Sequence, residues 1–185
     1  MIVLGLHYGH DGSACIVKDG KLVSAISSER VTRKKKFHGV TNQVIDYVLT
    51  AAGLEFNQID EIALTDYIKS HSHNTLTLVD EDDTCGQYFG NQIHVTTGTL
   101  RGKQFPVYVI PHHLAHCASA YYTSNFDSAW CFSMDSSGYT IPCNSLVARG
   151  QGNKLTACYC PMLMVGYGYA AFTEYLGIGN PVHKA

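Results

Sequence analysis

Charge is sparse in this 185-residue chain: 15% of its residues are Asp, Glu, Lys or Arg, and the formal net charge is -2. That balance excludes a strong field of one sign, so neither nucleic acid nor an anionic membrane is an expected partner. Long hydrophobic runs are missing as well. Nothing approaches the ~20 apolar residues of a spanning helix. The opening apolar run, residues 1–6, is too short for a secretory segment and leads straight into polar residues. The seven cysteines show no zinc-type paired spacing. Cys158 and Cys160 form a C-x-C pair on one face of a strand, a pattern read here as ordinary buried thiols rather than metal ligands. With nothing demanding an oxidising compartment, the expected location is the cytoplasm. What is present is a hydrophobic content of 45%, the composition of a folded protein long enough for one ample core or two small ones.

Periodicity divides the chain. Residues 1–6 read as a buried strand, and a polar, glycine-rich turn follows from His7 to Ser13. Two further β-prone runs, 14–18 and 22–27, flank Asp19-Gly20, a dipeptide suited to the positive φ angles of a tight hairpin. Val44, Ile45, Val48, Leu49 and Ala52 recur at helical spacing over 42–52, with Gly53 as the stop. Residues 59–65 read as a strand. Residues 70–104 mix polar and β-prone segments around the acidic run Asp80-Glu81-Asp82-Asp83 and are read as an insertion, a hairpin excursion in which His71 and His73 are solvated loop residues. A strand at 105–110 is stopped by Pro111, and a helix follows to about Tyr122. Strands are expected at 129–134, 144–148 and 155–160, with a turn-rich stretch at 149–153, and a helix at 167–176. This order gives an α/β protein with a mixed sheet and helices packed on it. The pattern of strand, Asp/Ser/Gly loop, strand, tight turn, strand occurs at 1–28 and again at 128–160. It divides the chain into residues 1–127 and a second related unit over 128–185.

The densest chemistry lies in Pro111-His112-His113-Leu114-Ala115-His116. On a helix, His112 and His116 are four apart and share a face; His113 and His116, three apart, can share one too. Two imidazoles so placed are ready-made ligands for a divalent metal, and Asp135, at the end of an apolar strand, is a candidate anionic third. Affinity order and ligand type leave iron, zinc and manganese open. The loops at 7–13 and 135–138 each pair an Asp with glycine and hydroxyls. Glycine lets backbone N–H groups approach an oxyanion, and serine adds a donor. The cluster Arg30-Val31-Thr32-Arg33-Lys34-Lys35-Lys36 reads equally as a solvated basic turn and as a local anion site.

Four segments together resemble the amino-terminal region of the O-carbamoyltransferases of the nodulation and antibiotic-tailoring type. They are Gly5-Leu6-His7-Tyr8-Gly9-His10-Asp11-Gly12-Ser13-Ala14, Ser28-Glu29-Arg30-Val31-Thr32-Arg33-Lys34-Lys35, the histidine segment through Tyr122, and Asp135-Ser136-Ser137-Gly138. The resemblance implies an actin/Hsp70-like fold built from duplicated ribonuclease-H-like domains, related to the enzymes that make threonylcarbamoyladenylate for tRNA. It also implies a reaction: carbamoyl phosphate and ATP give a carbamoyl-adenylate, and the carbamoyl group passes to a hydroxyl of a small molecule. Carried over by position, His112, His116 and Asp135 are metal ligands, with iron the metal implied. His10 and Asp11 border the reacting group as catalytic residues. Ser13, Arg33, Lys35, Ser136, Ser137 and Gly138 bind substrate. The family is several hundred residues long, so the second half is expected to be truncated here. The resemblance then implies a chain that is inactive alone and that self-associates or joins a missing carboxy-terminal part. The alternatives are a non-catalytic metal- or nucleotide-binding module and a tRNA threonylcarbamoyl transferase relative.

Overall fold

The protein was analysed as a computed structural model, which describes residues 1–65, 75–78, 92–135, 145–161, 163 and 165–178. His71, His73, the acidic run Asp80-Glu81-Asp82-Asp83, and Ser136, Ser137 and Gly138 of the second loop lie outside the described residues. The chain divides into two units, one holding the first seven strands and the other beginning at Pro111.

In the first unit, β1 (Ile2–His7), β2 (Ser13–Lys18) and β3 (Lys21–Ser27) form an antiparallel meander. Asp19 and Gly20 turn β2 into β3 with φ values of 49° and 78°, as the Asp-Gly signal requires. A short helix α1 (Ser28–Thr32) follows. Helix α2 (Asn42–Ala52) is capped by Gly53 at φ 64°, whose N–H reaches the Leu49 and Thr50 carbonyls, the left-handed stop glycine tolerates best. Then come β4 (Glu61–Thr65), β5 (Leu76–Leu78), β6 (His94–Leu100) and β7 (Lys103–Val109). The sheet order is β3-β2-β1-β4-β7-β6-β5. β1, β4 and β7 run parallel at its centre, and the remaining pairings are antiparallel.

Alternation along these strands buries one side chain in two. Leu4 and Leu6 of β1, Ile62 and Leu64 of β4, and Phe105, Val107 and Val109 of β7 form one core with Val44, Ile45, Val48 and Leu49 of α2. These are four of the five residues the helical periodicity selects, and the fifth, Ala52, packs against the core partly buried. Arg101 fastens the start of α2: its guanidinium donates to Asn42 Oδ1 at 2.9 Å, to the Asn42 carbonyl at 2.7 Å and to Asp46 Oδ1 at 2.7 Å.

In the second unit, α3 (His112–Tyr122) packs on a three-stranded antiparallel meander, β8 (Ser128–Met134), β9 (Ser145–Gln151) and β10 (Lys154–Tyr159). Helix α4 is Val165–Tyr175. In β8, Cys131 and Ser133 are buried while Trp130, Phe132 and Met134 are exposed. The Tyr121 hydroxyl of α3 shares its one proton between the carbonyls of Asp127 and Gly152, each at 2.9 Å, tying helix to meander.

Three expectations change. The reading of 70–104 as an insertion ended too late, because β6 pairs with β7 along its whole length through the two-residue turn Arg101-Gly102. The Gly98 and threonine content of His94–Leu100 hid a strand whose alternate residues Thr96 and Leu100 are buried. The stretch 149–153 is strand to Gln151 and turn only at Gly152-Asn153. Finally, Cys158 is an exposed thiol and Cys160 is disulfide-bonded, so they are not the two ordinary buried thiols expected. Among the described residues no helix is long and apolar enough to cross a membrane.

Candidate functional site

Pro111 is the residue preceding α3. Its fixed φ starts the helix cleanly, placing His112 on the first turn and His116 on the second. Their Nε2 atoms are 3.0 Å apart. Asp135, the first residue past β8, brings Oδ2 to 3.4 Å from His112 Nε2 and 3.7 Å from His116 Nε2. The three donor atoms form one group able to hold a metal ion. Ligands held at ~2.1 Å from a common cation lie roughly 3.0 Å apart at right angles and roughly 3.4 Å apart in a tetrahedron. The observed separations lie close to those values. Two imidazoles and one carboxylate are a donor set that suits a divalent transition metal.

The alternative pairing through His113 does not form this group. His113 is 1% exposed, and its Nδ1 lies 2.8 Å from Ser133 Oγ. It is a core residue that locks α3 onto β8 and thereby fixes the faces of its two neighbours. Cys117 is on the buried side of the same helix, and burial, then the nearby Cys131, pushes its thiol up to about 11. It stays protonated and inert at neutral pH.

The second group of candidates lies in the first unit, where β1 and β4 end side by side. In parallel sheets ligands gather beyond the carboxyl ends of the strands. Here the loop after β1 carries His10 and Asp11, both exposed, with His10 Nδ1 2.7 Å from Asp11 Oδ2. A carboxylate accepting at Nδ1 leaves Nε2 as the basic nitrogen of a neutral ring. Buried glycines flank the pair. Gly12 N–H donates to the Phe37 carbonyl at 2.9 Å, the Gly12 carbonyl accepts from Ser28 N–H at 2.7 Å, and Gly9 accepts from Gly39 N–H at 3.4 Å. A Cβ on Gly12 would run into the Gly39 carbonyl oxygen. This stitching brings His38 beside His10, ring centres 6.3 Å apart.

Of the remaining candidates, Ser13 begins β2 opposite His7. Arg33 ends α1 at φ 59°, its N–H donating to the Glu29 carbonyl. Lys35 Nζ lies 4.0 Å from Glu29 Oε1. The sequence reading missed His7 and His38. His7 sits three residues before His10, a spacing that offered a signal; His38 had none, because only the stitching of two loops brings it there.

An α/β protein with a two-histidine, one-carboxylate cluster at the start of a helix defines a class, and sequence comparison narrows it. The family described as carbamoyltransferase N-terminus matches residues 2–183, and the chain belongs to that family. It is 29% identical to the uncharacterized protein sll1178 of Synechocystis over 95% of this chain and 32% of that protein. It is 27% identical to nodulation protein NolNO of Sinorhizobium fredii over 92% of this chain and 26% of that protein. It is 25% identical to nodulation protein U of Bradyrhizobium diazoefficiens over 96% of this chain and 33% of that protein. The chain thus spans 26–33% of the length of these curated relatives.

Proposed function

We propose that this chain is the amino-terminal part of an ATP-dependent O-carbamoyltransferase acting in the cytoplasm. Carbamoyl phosphate, water and ATP give a carbamoyl-adenylate, phosphate and pyrophosphate, and the carbamoyl group then passes to a hydroxyl of a small molecule with release of AMP. The observation that carries this reading is the convergence of His112, His116 and Asp135 in a chain of the carbamoyltransferase family. These three residues hold a divalent metal, iron in first place and zinc or manganese otherwise. A metal held there would supply positive charge to an oxygen that becomes negative during transfer. His10, with Asp11 on its Nδ1, takes the acceptor's hydroxyl proton at Nε2. Ser13, Arg33, Lys35, Ser136, Ser137 and Gly138 bind the phosphate-bearing substrates.

The strand order supports an actin/Hsp70-like, ribonuclease-H-like duplication. An antiparallel β1-β2-β3 meander continues into parallel β4 and β7, and the second unit repeats the meander as β8-β9-β10. In this reading, residues 1–127 and 128–185 belong to successive halves, and the second is completed by further chain or by self-association. The share of the relatives covered supports a part that binds metal but completes no transfer alone.

Two measurements test the proposal. Elemental analysis should find about one divalent metal per purified chain, lost in His112→Ala, His116→Ala and Asp135→Ala. Joined to the remaining two-thirds of nodulation protein U, the chain should release AMP and transfer carbamoyl to a hydroxyl acceptor, and His10→Ala should abolish transfer with metal content intact. A metal-free wild-type chain would overturn the metal assignment, and full activity of His10→Ala would overturn the base.

A further inference from the structure

His7 ends β1 and lies directly across from Thr65, the last residue of the parallel strand β4. Its imidazole bridges sheet and loop. Nδ1 lies 2.8 Å from Thr65 Oγ1, and Nε2 lies 3.0 Å from the carbonyl oxygen of His10. A carbonyl only accepts, so Nε2 carries the hydrogen and donates it. That carbonyl belongs to the peptide joining His10 to Asp11. Asp11 sits at φ 61°, the left-handed region that non-glycine residues enter at a cost. Rotating the 10–11 peptide plane would relieve Asp11, and it would also turn the two side chains away from each other. Flanking bonds hold Gly9 and Gly12 from outside the pair; the His7 bond grips the peptide within it.

We propose that His7 is a positioning residue: its bond to the His10 carbonyl holds the 10–11 peptide in the orientation that pairs His10 with Asp11. The role of the pair in transfer rests on the function proposed above, whereas its geometry does not. The two outer atoms of the imidazole can be removed separately. Glutamine places an amide nitrogen near Nε2 and keeps the donor to His10. Asparagine places its polar atoms near Nδ1, keeping Thr65 and losing His10.

The test compares His7→Gln with His7→Asn in the full chain by NMR, following the ring-nitrogen shifts of His10, which report its tautomer through carbon-bound protons, and the contact between His10 Hα and the Asp11 amide proton. Glutamine should preserve both signals. Asparagine should move the ring-nitrogen shifts away from the Nδ1–H form and change the Hα–amide contact, with the backbone spectrum elsewhere intact. In the active chimera, asparagine should lower kcat on the order of 10- to 100-fold, with KM changed far less and glutamine restoring the rate. Retention of both signals in the asparagine variant, or a wild-type His10 ring that does not favour the Nδ1–H form, overturns the positioning role. Normal transfer by His10→Ala overturns only the catalytic reading, because the spectra report geometry without turnover.

Discussion

At the scale of single residues, Asp11 carries two demands: a carboxylate facing His10 and a backbone at positive φ. Asparagine meets the second and offers a neutral acceptor for the first; alanine meets neither. Urea denaturation should therefore find Asp11→Asn within ~0.5 kcal/mol of wild type and Asp11→Ala lower by about 1–2 kcal/mol. The thiols separate as sharply. Iodoacetamide at neutral pH should label exposed Cys158 and leave buried Cys117 and Cys131 unmodified in the folded chain, as read by peptide mass. The folded Cys117 thiol is raised to about 11, above the ~8.5 of an unfolded one. Its contribution to stability is therefore complete below the unfolded value and is lost as pH rises toward the folded one. His10 and Asp11 were legible because they are adjacent in sequence among glycines. His7, whose partners are a strand 58 residues away and a backbone carbonyl, was legible only as part of a polar turn.

At the scale of elements, α2 and α3 were readable almost to the residue. Both carry apolar residues at helical spacing, one ends at a glycine and the other starts after a proline, signals that act within a turn or two. β6 was not, since a strand of small and polar residues declares itself through its partner rather than its composition. The histidine triplet shows the same division. Spacing left His112 and His113 as rival partners of His116, and the choice fell to packing, because Ser133 of β8 takes His113 into the core. Ser133→Ala should leave a buried imidazole without that bond and cost about 1–3 kcal/mol in urea denaturation, and loosening α3 in this way should also weaken metal retention. Gly150 of β9 marks a second such constraint. A Cβ there would strike the Tyr121 ring, so Gly150→Ala should destabilise by about 1–3 kcal/mol through overpacking against α3.

At the scale of the whole molecule, the metal should couple to folding. A divalent metal at about 100 times its Kd should stabilise the chain by ~2.7 kcal/mol, read as a rise in Tm. Protons compete with the metal for the imidazole nitrogens, so the shift should shrink as the solution is made more acidic. His112→Ala should remove it at every pH. Trp130 at 56%, Phe132 at 63% and Met134 at 56% exposure give the second unit an apolar strand face. The chain should therefore enhance the fluorescence of an apolar dye such as ANS, and Phe132→Thr should reduce that signal.

The amino-acid sequence by itself determined what is encoded locally. The two-residue hairpin at Asp19-Gly20, the extents of α2 and α3, the strand alternation, and the presence of two histidines on one helical face follow from interactions between residues a few positions apart. Motif order along the chain also pointed to the carbamoyltransferase family. The tertiary structure alone decided which histidine turns inward, that β6 belongs to the main sheet, that His38 stands beside His10, and that His7 reaches across to Thr65. Each of these depends on segments distant in sequence meeting at a particular register, which hydrogen-bond satisfaction and close packing settle only when the whole sheet has formed.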